Sequence, residues 1–497
     1  MLPVNINNSI PQQAYRAETV RNHELAVAAN SGVLSMQLMQ YAGESAFNLL
    51  RHRYPQAKTI LVVCGSGNNA GDGLILARMA LEANFHVYVH SVVNPESYQG
   101  DAKRAYQQFM EQGGQFHKFN DIDVSRIDVI VDGLLGTGIT GNVRENYRYV
   151  IELINQLPAP ILALDIPSGL HANTGMPMGS TVIADATVTF VVLKQGLVTG
   201  LAIDYCGDVF LSGLGIKDAF EKSIDDNVRL VCENNLPRLK ARLGSSHKGD
   251  SGRVLLVGGN LSTPGAIKLA AEATLRCGAG LVSVACHPDN ATIVLANRPE
   301  IMRVSDFTQQ LTEQLSLSDS IVLGPGLGLD EWAQALFMKV LSTEKPVIVD
   351  GDGLNLLAKN PQSRNNWILT PHPKEAARLL DTSVENIMAD RFEAVKSIAL
   401  KYGGVCILKG AGTLISNGNV VTINTSGNPG MASGGMGDLL AGILGALRLQ
   451  SASDFDACCR GVFIHGQAAD IAREDGEKGM LASDLLPILR QLVNRPK

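Results

Sequence analysis

TILVVCGSGNNAGDGLILARMALEAN, residues 59–84, opens on an apolar, largely β-branched run, crosses a cluster of small residues and closes on apolar positions at helical spacing. The run Thr59–Gly65 suits a strand buried on both faces of a parallel sheet. Gly65–Gly73 is expected to be a loop and the following LILARMALEAN a helix. A strand, a glycine loop and a helix in that order set backbone amides against a phosphate or pyrophosphate. The spacing is neither GxGxxG nor a P-loop, because no Lys-Ser or Lys-Thr follows. A tight turn of purely structural purpose stays open beside ligand binding.

Upstream, Ala17–Asn30 and Ser35–Arg51 carry apolar residues at helical spacing. Downstream, strand and helix patterns alternate: His86–Val93, Asp101–Gln112, Asp128–Asp132, Arg144–Gln156 and Ile161–Asp165. That rhythm predicts a doubly wound, Rossmann-like sheet. Two strands end in an acid followed by Gly- or Pro-containing loops, VDGLLGTGITG after Val131 and DIPSGLHANTG from Asp165. Ligands of open α/β sheets bind beyond the carboxyl ends of strands, so Asn69, Asp132 and Asp165 are expected to converge on one crevice. An acid at a strand end can also cap the next turn.

From Ile216 to Asn235 the pattern turns charged, and 221–235 is expected to join two domains, 1–220 and 236–497. A short helix is expected at Leu236–Leu243. The second domain then runs through the strand RVLLV, the helix Ala266–Gly278 and the strand GLVSVAC. SIVLGPGLG, KPVIVDGDGLNLLA, NWILTPHPKEAARLL and GVCILKGAGTLI follow, each a buried strand ending in a polar loop. Such loops open on one edge of a parallel sheet and outline a cleft. His372 could be a solvated loop residue, Lys374 a surface charge, and KGAGT a hairpin turn; a Lys with successive amides also suits a nucleotide.

The cleft would end at NPGMASGGMGDLLAGILGAL, residues 428–447, where a loop containing Gly430, Gly434, Gly435 and Gly437 enters an apolar helix bearing Asp438 at its start. Unpaired amides and the positive end of the helix dipole favour an anion there, a transferring phosphoryl group above all. A carboxylate beside such a site needs a task, and accepting a proton from an attacking hydroxyl is one. The alternative is an ordinary acid in the first turn of a helix.

With 497 residues the chain is too long for one core, and 42 Lys and Arg against 48 Asp and Glu give a net charge of −6. That balance lends no support to a nucleic-acid or anionic-membrane surface. Eight cysteines are scattered without a CxxC pair and are read as reduced; Cys458 and Cys459 give no zinc spacing. No signal peptide or membrane span is expected, and the protein is expected to be cytoplasmic.

GNNAGDG, VDGLLGTG and DIPSG, in that order, resemble the YjeF N-terminal domain, the NAD(P)H-hydrate epimerase module. The resemblance implies a monovalent cation, K+, held by Asn69, Asp132 and Ser168. It also implies an acid/base, Asp165, and a hydrate-binding surface from Asn68, Asn69, Ala70, Gly71, Asp72, Gly136, Thr137, Gly138 and Asp165. The family more often has Gly where Ala70 stands, and Ala is acceptable where φ is negative. The order GPGLG, VDGDGLN, LTPHPKE, LKGAGT, GNPGMASGGMGD resembles the YjeF C-terminal domain, the ribokinase-like NAD(P)H-hydrate dehydratase module. Met436 replaces the family's usual Thr, which removes a hydroxyl and leaves the backbone amides.

Together the modules resemble the bifunctional NAD(P)H-hydrate repair family. The resemblance implies two α/β domains, an N-terminal Rossmann-like doubly wound sheet and a C-terminal ribokinase-like α/β/α domain. In the second, Asp438 would be the base; Lys409, Gly410, Ala411, Gly412, Thr413 and Gly437 would bind ADP or ATP with magnesium (Mg2+). Ala266, Gly328, His372 and Asp438 would line the pocket for NADH-hydrate or NADPH-hydrate. A homo-oligomer is expected. The competing reading is a kinase of a small metabolite, such as a hydroxymethylpyrimidine, with a non-catalytic N-terminal ligand-binding or dimerisation domain.

Overall fold

The computed structural model describes residues 2–7, 9–239 and 241–494. The chain divides into two compact units, Met1–Arg229 and Leu230–Lys497. The stretch between the two sequence patterns is itself regular, with the helix Lys217–Ser223 and the strand Asn227–Val231. The helix expected at Leu236–Leu243 is not formed in its described residues, which are irregular.

In the first unit six parallel strands follow in chain order: β1 (Thr59–Cys64), β2 (His86–Ser91), β3 (Val129–Gly133), β4 (Ile161–Leu164), β5 (Ala186–Phe190) and β6 (Asp208–Ser212). Their spatial order is β2-β1-β3-β4-β5-β6, with Val4–Asn5 added antiparallel to β6. Alternate side chains face opposite sides of a strand. Ile60, Val62 and Cys64 pack in a core with the helices Ser35–Arg53, Asn68–Glu82 and Gly100–Glu111, whereas Leu61 and Val63 pack in another with Glu145–Asn155. Helices therefore cover both faces. The strand order reverses between β1 and β3, and the loops leaving those two strands bound the place where such a sheet accepts a ligand.

One expectation is corrected here. Residues 68–73 are not a loop: the helix begins at Asn68, directly after an extended Gly67. The glycines serve close packing, since a β carbon at Gly71 would come within 2.6 Å of Met39 Sδ and one at Gly73 within 3.2 Å of a Val62 methyl. Ala70 is helical, with φ outside the left-handed region, and fully buried, so its β carbon is accommodated.

The second unit carries β7 (Arg253–Val257), β8 (Leu281–Ala285), β9 (Ile301–Arg303), β10 (Ser320–Leu323), β11 (Val347–Val349), β12 (Trp367–Leu369), β13 (Val405–Leu408), β14 (Thr413–Ser416) and β15 (Val421–Asn424). They lie in the order β9-β8-β7-β10-β11-β12-β13-β14-β15; the pairs from β9 to β13 are parallel and the last two antiparallel. The polar loops after β7, β10, β11, β12 and β13 consequently share one edge. Val254, Leu256, Val322, Ile348 and Ile368 pack with the helices Pro264–Arg276, Met436–Leu447, Asp454–Ala472 and Ala482–Leu492 in one core. Met436 belongs to that core and is buried. Among the described residues no helix is long and apolar enough to cross a membrane, and all eight cysteines are buried and free.

The helix carrying Asp438 is seated by one close approach. A β carbon at Gly442 would stand 2.0 Å from the Ala270 carbonyl oxygen, and Thr274 Oγ1 donates to both Ala270 O (2.8 Å) and Gly442 O (3.0 Å). Gly442→Ala should therefore force the two helices apart and destabilise the protein by about 1–3 kcal/mol. A thermal unfolding curve superimposable on the parent's would refute this packing.

Candidate active sites

In the first unit, Asp165 follows β4 with φ at +62°, a left-handed backbone uncommon for any residue but glycine. Its Oδ1 accepts from Lys194 Nζ at 2.5 Å, Thr189 Oγ1 at 3.2 Å and Phe190 N at 3.3 Å. No donor among the described residues reaches Oδ2. Lys194 is 3% exposed and also donates to Phe190 O at 2.7 Å. Buried this deeply, the ammonium needs such partners.

A cavity of about 660 Å³ opens over this pair. Its wall includes Asn68, Asn69, Asp72, Gly136, Thr137, Gly138, Asp165 and Lys194, and also Glu24. Ala70 and Gly71, expected to bind substrate, are instead buried in the helix behind the wall. Burial pushes the Glu24 carboxyl up to about 7, with Lys194 opposing and Asp165 adding. Burial, then Asp165 and Glu24, drive Asp72 well above the usual carboxylate range. Three acids and one ammonium thus share the floor of one cavity.

Beside it lies the oxygen set expected to hold a cation. Asp132, fully buried, accepts from Ser168 Oγ at 2.6 Å and Leu134 N at 3.1 Å through Oδ1, and from Ser168 N at 2.8 Å through Oδ2. Burial raises it to about 6 against the pull of those bonds. Asn69 Nδ2 donates to Leu135 O at 3.0 Å, and Ser168 Oγ lies 3.1 Å from the same oxygen. Asn69 Oδ1 is buried without a protein partner. An orphaned buried acceptor calls for something outside the chain to meet it, and one carboxylate among neutral oxygens suits a hard monovalent cation.

In the second unit the helix Met436–Leu447 starts from Gly435, whose φ of +91° turns the loop into the first turn. The loop is anchored by Asp470, whose Oδ2 accepts from Gly427 N at 2.9 Å and Oδ1 from Asn428 Nδ2 at 3.0 Å. Lys409, leaving β13, donates to Asp350 Oδ1 at 2.8 Å and stands 4.0 Å from Glu375 Oε2. Thr370 Oγ1 donates to the same Asp350 oxygen at 2.6 Å. A β carbon at Gly437 would come within 3.2 Å of Lys409 Nζ and 3.8 Å of Asp350 Oδ2, so the ion pair lies against the first turn of the helix.

Burial pushes Asp438 up to about 7; Asp350, Asp352 and Glu375 add to this and Lys409 opposes it. Its carboxylate receives no hydrogen bond from a side chain among the described residues. Burial also pushes Glu375 up to about 7 and His465, whose Nε2 is without a partner, down to about 4. Burial alone would lower Lys409, but Asp350 and Glu375 overcome it and hold the ammonium charged.

Residues 409–412 connect β13 to its antiparallel neighbour β14, so KGAGT is a hairpin turn in backbone terms. Arg391, almost wholly buried, donates to Ala411 O at 2.5 Å, Gly412 O at 3.2 Å, Leu408 O at 3.3 Å and Lys409 O at 3.4 Å. His372 caps the helix Pro373–Leu380: Nδ1 accepts from Lys374 N at 3.0 Å and Glu375 N at 3.3 Å, while Glu375 Oε2 accepts from His372 N at 2.8 Å. Burial and Lys409 lower its basicity, and Lys374 is exposed. Gly328 donates its amide to Asp352 Oδ2 at 2.8 Å, and Ala266 lies in the first turn after β7. Among the described residues no three His, Cys, Asp or Glu side chains are placed to hold a metal by themselves.

Lys194, Glu24, Asp350 and Glu375 were not singled out as site residues from sequence. Only the last two carried a local signal, inside VDGDG and TPHPKE. Lys194 follows an apolar run, and its partner lies 29 residues away.

Two family models match the chain: NAD(P)H-hydrate dehydratase over residues 254–491 and YjeF-related protein N-terminus over residues 35–196. The bifunctional NAD(P)H-hydrate repair enzyme Nnr of Escherichia coli is 43% identical over 98% of this chain and 95% of its own length. That of Coxiella burnetii is 43% identical over 97% and 99%. An ADP/ATP-dependent NAD(P)H-hydrate dehydratase from Bacillus subtilis, co-crystallised with ATP and Mg2+, is similar at 26% identity, covering 52% of this chain and 99% of that one with a TM-score of 0.45.

The environment of Asp438 is directly measurable. Carboxyl-carbon NMR, assigned by difference from Asp438→Asn, should show a titration near pH 7 that moves higher in Lys409→Met, where the opposing charge is gone. A midpoint near 4 in the parent would mean that the carboxyl is not so enclosed.

Proposed function

The chain belongs to the bifunctional NAD(P)H-hydrate repair enzymes, and from that premise we propose how its two sites divide the reaction. The function is metabolite repair. R and S forms of hydrated NADH and NADPH are interconverted, and the S form is dehydrated to NAD(P)H at the expense of ADP or ATP. In the hydrate, water has added across C5 and C6 of the dihydronicotinamide ring, leaving a hydroxyl at C6. Hydroxide leaves poorly, so the nucleotide first phosphorylates that oxygen.

Asp438 accepts the hydroxyl proton as the oxygen attacks the terminal phosphorus, and the displaced nucleotide departs one phosphoryl group shorter. The first-turn amides at Gly435–Gly437 and the helix dipole stabilise the charge on the group in transit. The ring nitrogen then expels phosphate from C6, and loss of the C5 proton restores the double bond. The observation that carries this reading is Asp438 at a glycine-opened helix start, backed by the Lys409–Asp350 pair. Lys409 neutralises a site otherwise crowded with acids. With the Lys409, Ala411 and Gly412 carbonyls of the turn drawn to Arg391 and that of Gly410 to Thr413 Oγ1, nucleotide phosphates meet its amide side, assisted by Gly410, Ala411, Thr413 and Gly437. Magnesium would enter with those phosphates and neutralise their charge. Ala266, Gly328 and His372 face the hydrate.

Epimerisation is assigned to the first unit, with Asp165 as acid/base, oriented by Lys194 and free at Oδ2. Asn69, Asp132 and Ser168 would hold potassium and so fix the loop of Leu135 against the cavity wall. A cytoplasmic homo-oligomer is part of the same reading.

Purified protein given mixed R and S hydrate with ADP or ATP should restore the reduced nicotinamide absorbance; no recovery with either nucleotide refutes the dehydratase assignment, and accumulation of a phosphorylated hydrate would mark a kinase. Asp438→Asn should stop nucleotide-dependent repair of both epimers. Asp165→Asn and Lys194→Met should leave rapid S repair and slow the R fraction to its spontaneous rate; equal loss of both fractions refutes the division of labour. Exchange of potassium for lithium should slow only the R fraction, and Asn69→Ala should abolish that ion dependence. An R fraction indifferent to the cation would remove potassium from the mechanism.

A further inference from the structure

Six arginines, Arg238, Arg242, Arg276, Arg298, Arg460 and Arg490, line a cavity of about 740 Å³ formed by residues of the second unit. Three acids share the wall, Glu233, Glu272 and Glu300, so the cavity is cationic on a chain whose net charge is −6. Two of those acids are engaged: Arg298 pairs with the buried Glu272, and Glu233 faces Arg460. Arg242, Arg276 and Arg490 also line an adjoining hollow of about 600 Å³, and none of the three has an ion-pair partner among the described residues.

The cavity lies away from Asp438. The helix Pro264–Arg276 leads from the C-terminal end of β7 to the N-terminal end of β8, so Arg276 and Gly278 sit at the sheet edge opposite the catalytic loops. Gln450, beyond the far end of the Asp438 helix, lines the same wall and donates to Cys277 O at 2.8 Å. Arg276 and Arg490 each stand in the last turn of a helix, where a cation complements the dipole, and Arg242 donates to Gly278 O at 2.6 Å. Those roles leave most of the five donors of each guanidinium unused. Capping does not require three guanidiniums without an ion-pair partner among the described residues to face a common space, where they repel one another. An anion with several oxygens does, because each fork can take two of them. Among the described residues the wall has no aromatic side chain to stack on a base, so the phosphates themselves would be recognised.

We propose that this arginine-lined cavity is a second anion site, binding a linear oligophosphate at the edge of the sheet remote from Asp438. The source is either inorganic oligophosphate or the phosphate chain of a nucleotide. Calorimetric titration of the intact chain with inorganic tripolyphosphate should show a site whose affinity falls with added salt. In Arg276→Ala/Arg490→Ala that affinity should drop at least about tenfold, with hydrate repair in the absence of tripolyphosphate unchanged. Competition by ATP at this site would identify the nucleotide chain as the source; indifference to ATP would identify the inorganic anion. Absence of tripolyphosphate binding at physiological salt, or equal affinity in parent and variant, overturns the proposal.

Discussion

A lysine bonded to an aspartate stands where the strand ends meet in each unit: Lys194, buried, on Asp165 and Lys409, partly buried, on Asp350. An unpaired charge at either place would cost several kcal/mol, so neither partner is dispensable to the local fold. Each pair also permits further acids to gather close by, Glu24 and Asp72 in one unit and Glu375 and Asp438 in the other. Without the ammonium, such groups would repel one another in a poorly solvated space and push apart the helix starts and strand ends that meet there. The ion pair is thus both structural and electrostatic: it fixes where the loops meet and sets how readily the nearby carboxyls take a proton.

What brings these groups together is the edge rule of parallel sheets. In the first unit the reversal of strand order between β1 and β3 leaves a gap at their carboxyl ends, and the loops leaving them wall the cavity together with the helices Ala17–Asn30, Ser35–Arg53 and Asn68–Glu82. In the second, Asp350 follows β11, His372 follows β12 and Lys409 follows β13, so neighbouring parallel strands deliver neighbouring side chains. Glycine has a different task in each place. Gly435 supplies a left-handed turn at the helix start, whereas Gly442 lets two helices approach to backbone contact.

Much of this architecture is legible in the sequence because buried parallel strands leave an unmistakable mark, a short apolar run ending in a polar loop. TILVVC, VIVDG and ILAL announce themselves that way. The start of the helix at Asn68 does not. Asn, Gly and Asp are poor helix formers, and only tertiary packing against Met39 and Val62 makes that turn helical. At Leu236–Leu243 the apolar spacing found no face to bury as a helix. The role of Lys194 was invisible for another reason: a lysine after an apolar run reads as the end of burial, and its aspartate comes from a different strand.

The two aspartates at the heart of the proposal differ in a way that fits their tasks. Asp165 is held on one oxygen by three donors, Lys194 among them, so its geometry is fixed while its second oxygen meets no donor among the described residues. Asp438 has no side-chain donor among the described residues and is surrounded by acids, with Lys409 one bond network away on Asp350; its affinity for a proton is raised toward neutrality. A base of that strength takes a proton from an attacking hydroxyl with less energetic penalty than an ordinary carboxylate would. Once the oxygen carries phosphate the difficulty of expelling hydroxide is gone, and the electrons come from the ring nitrogen of the substrate. A site with the parts of a kinase can therefore complete a dehydration without a second protein acid at the leaving group.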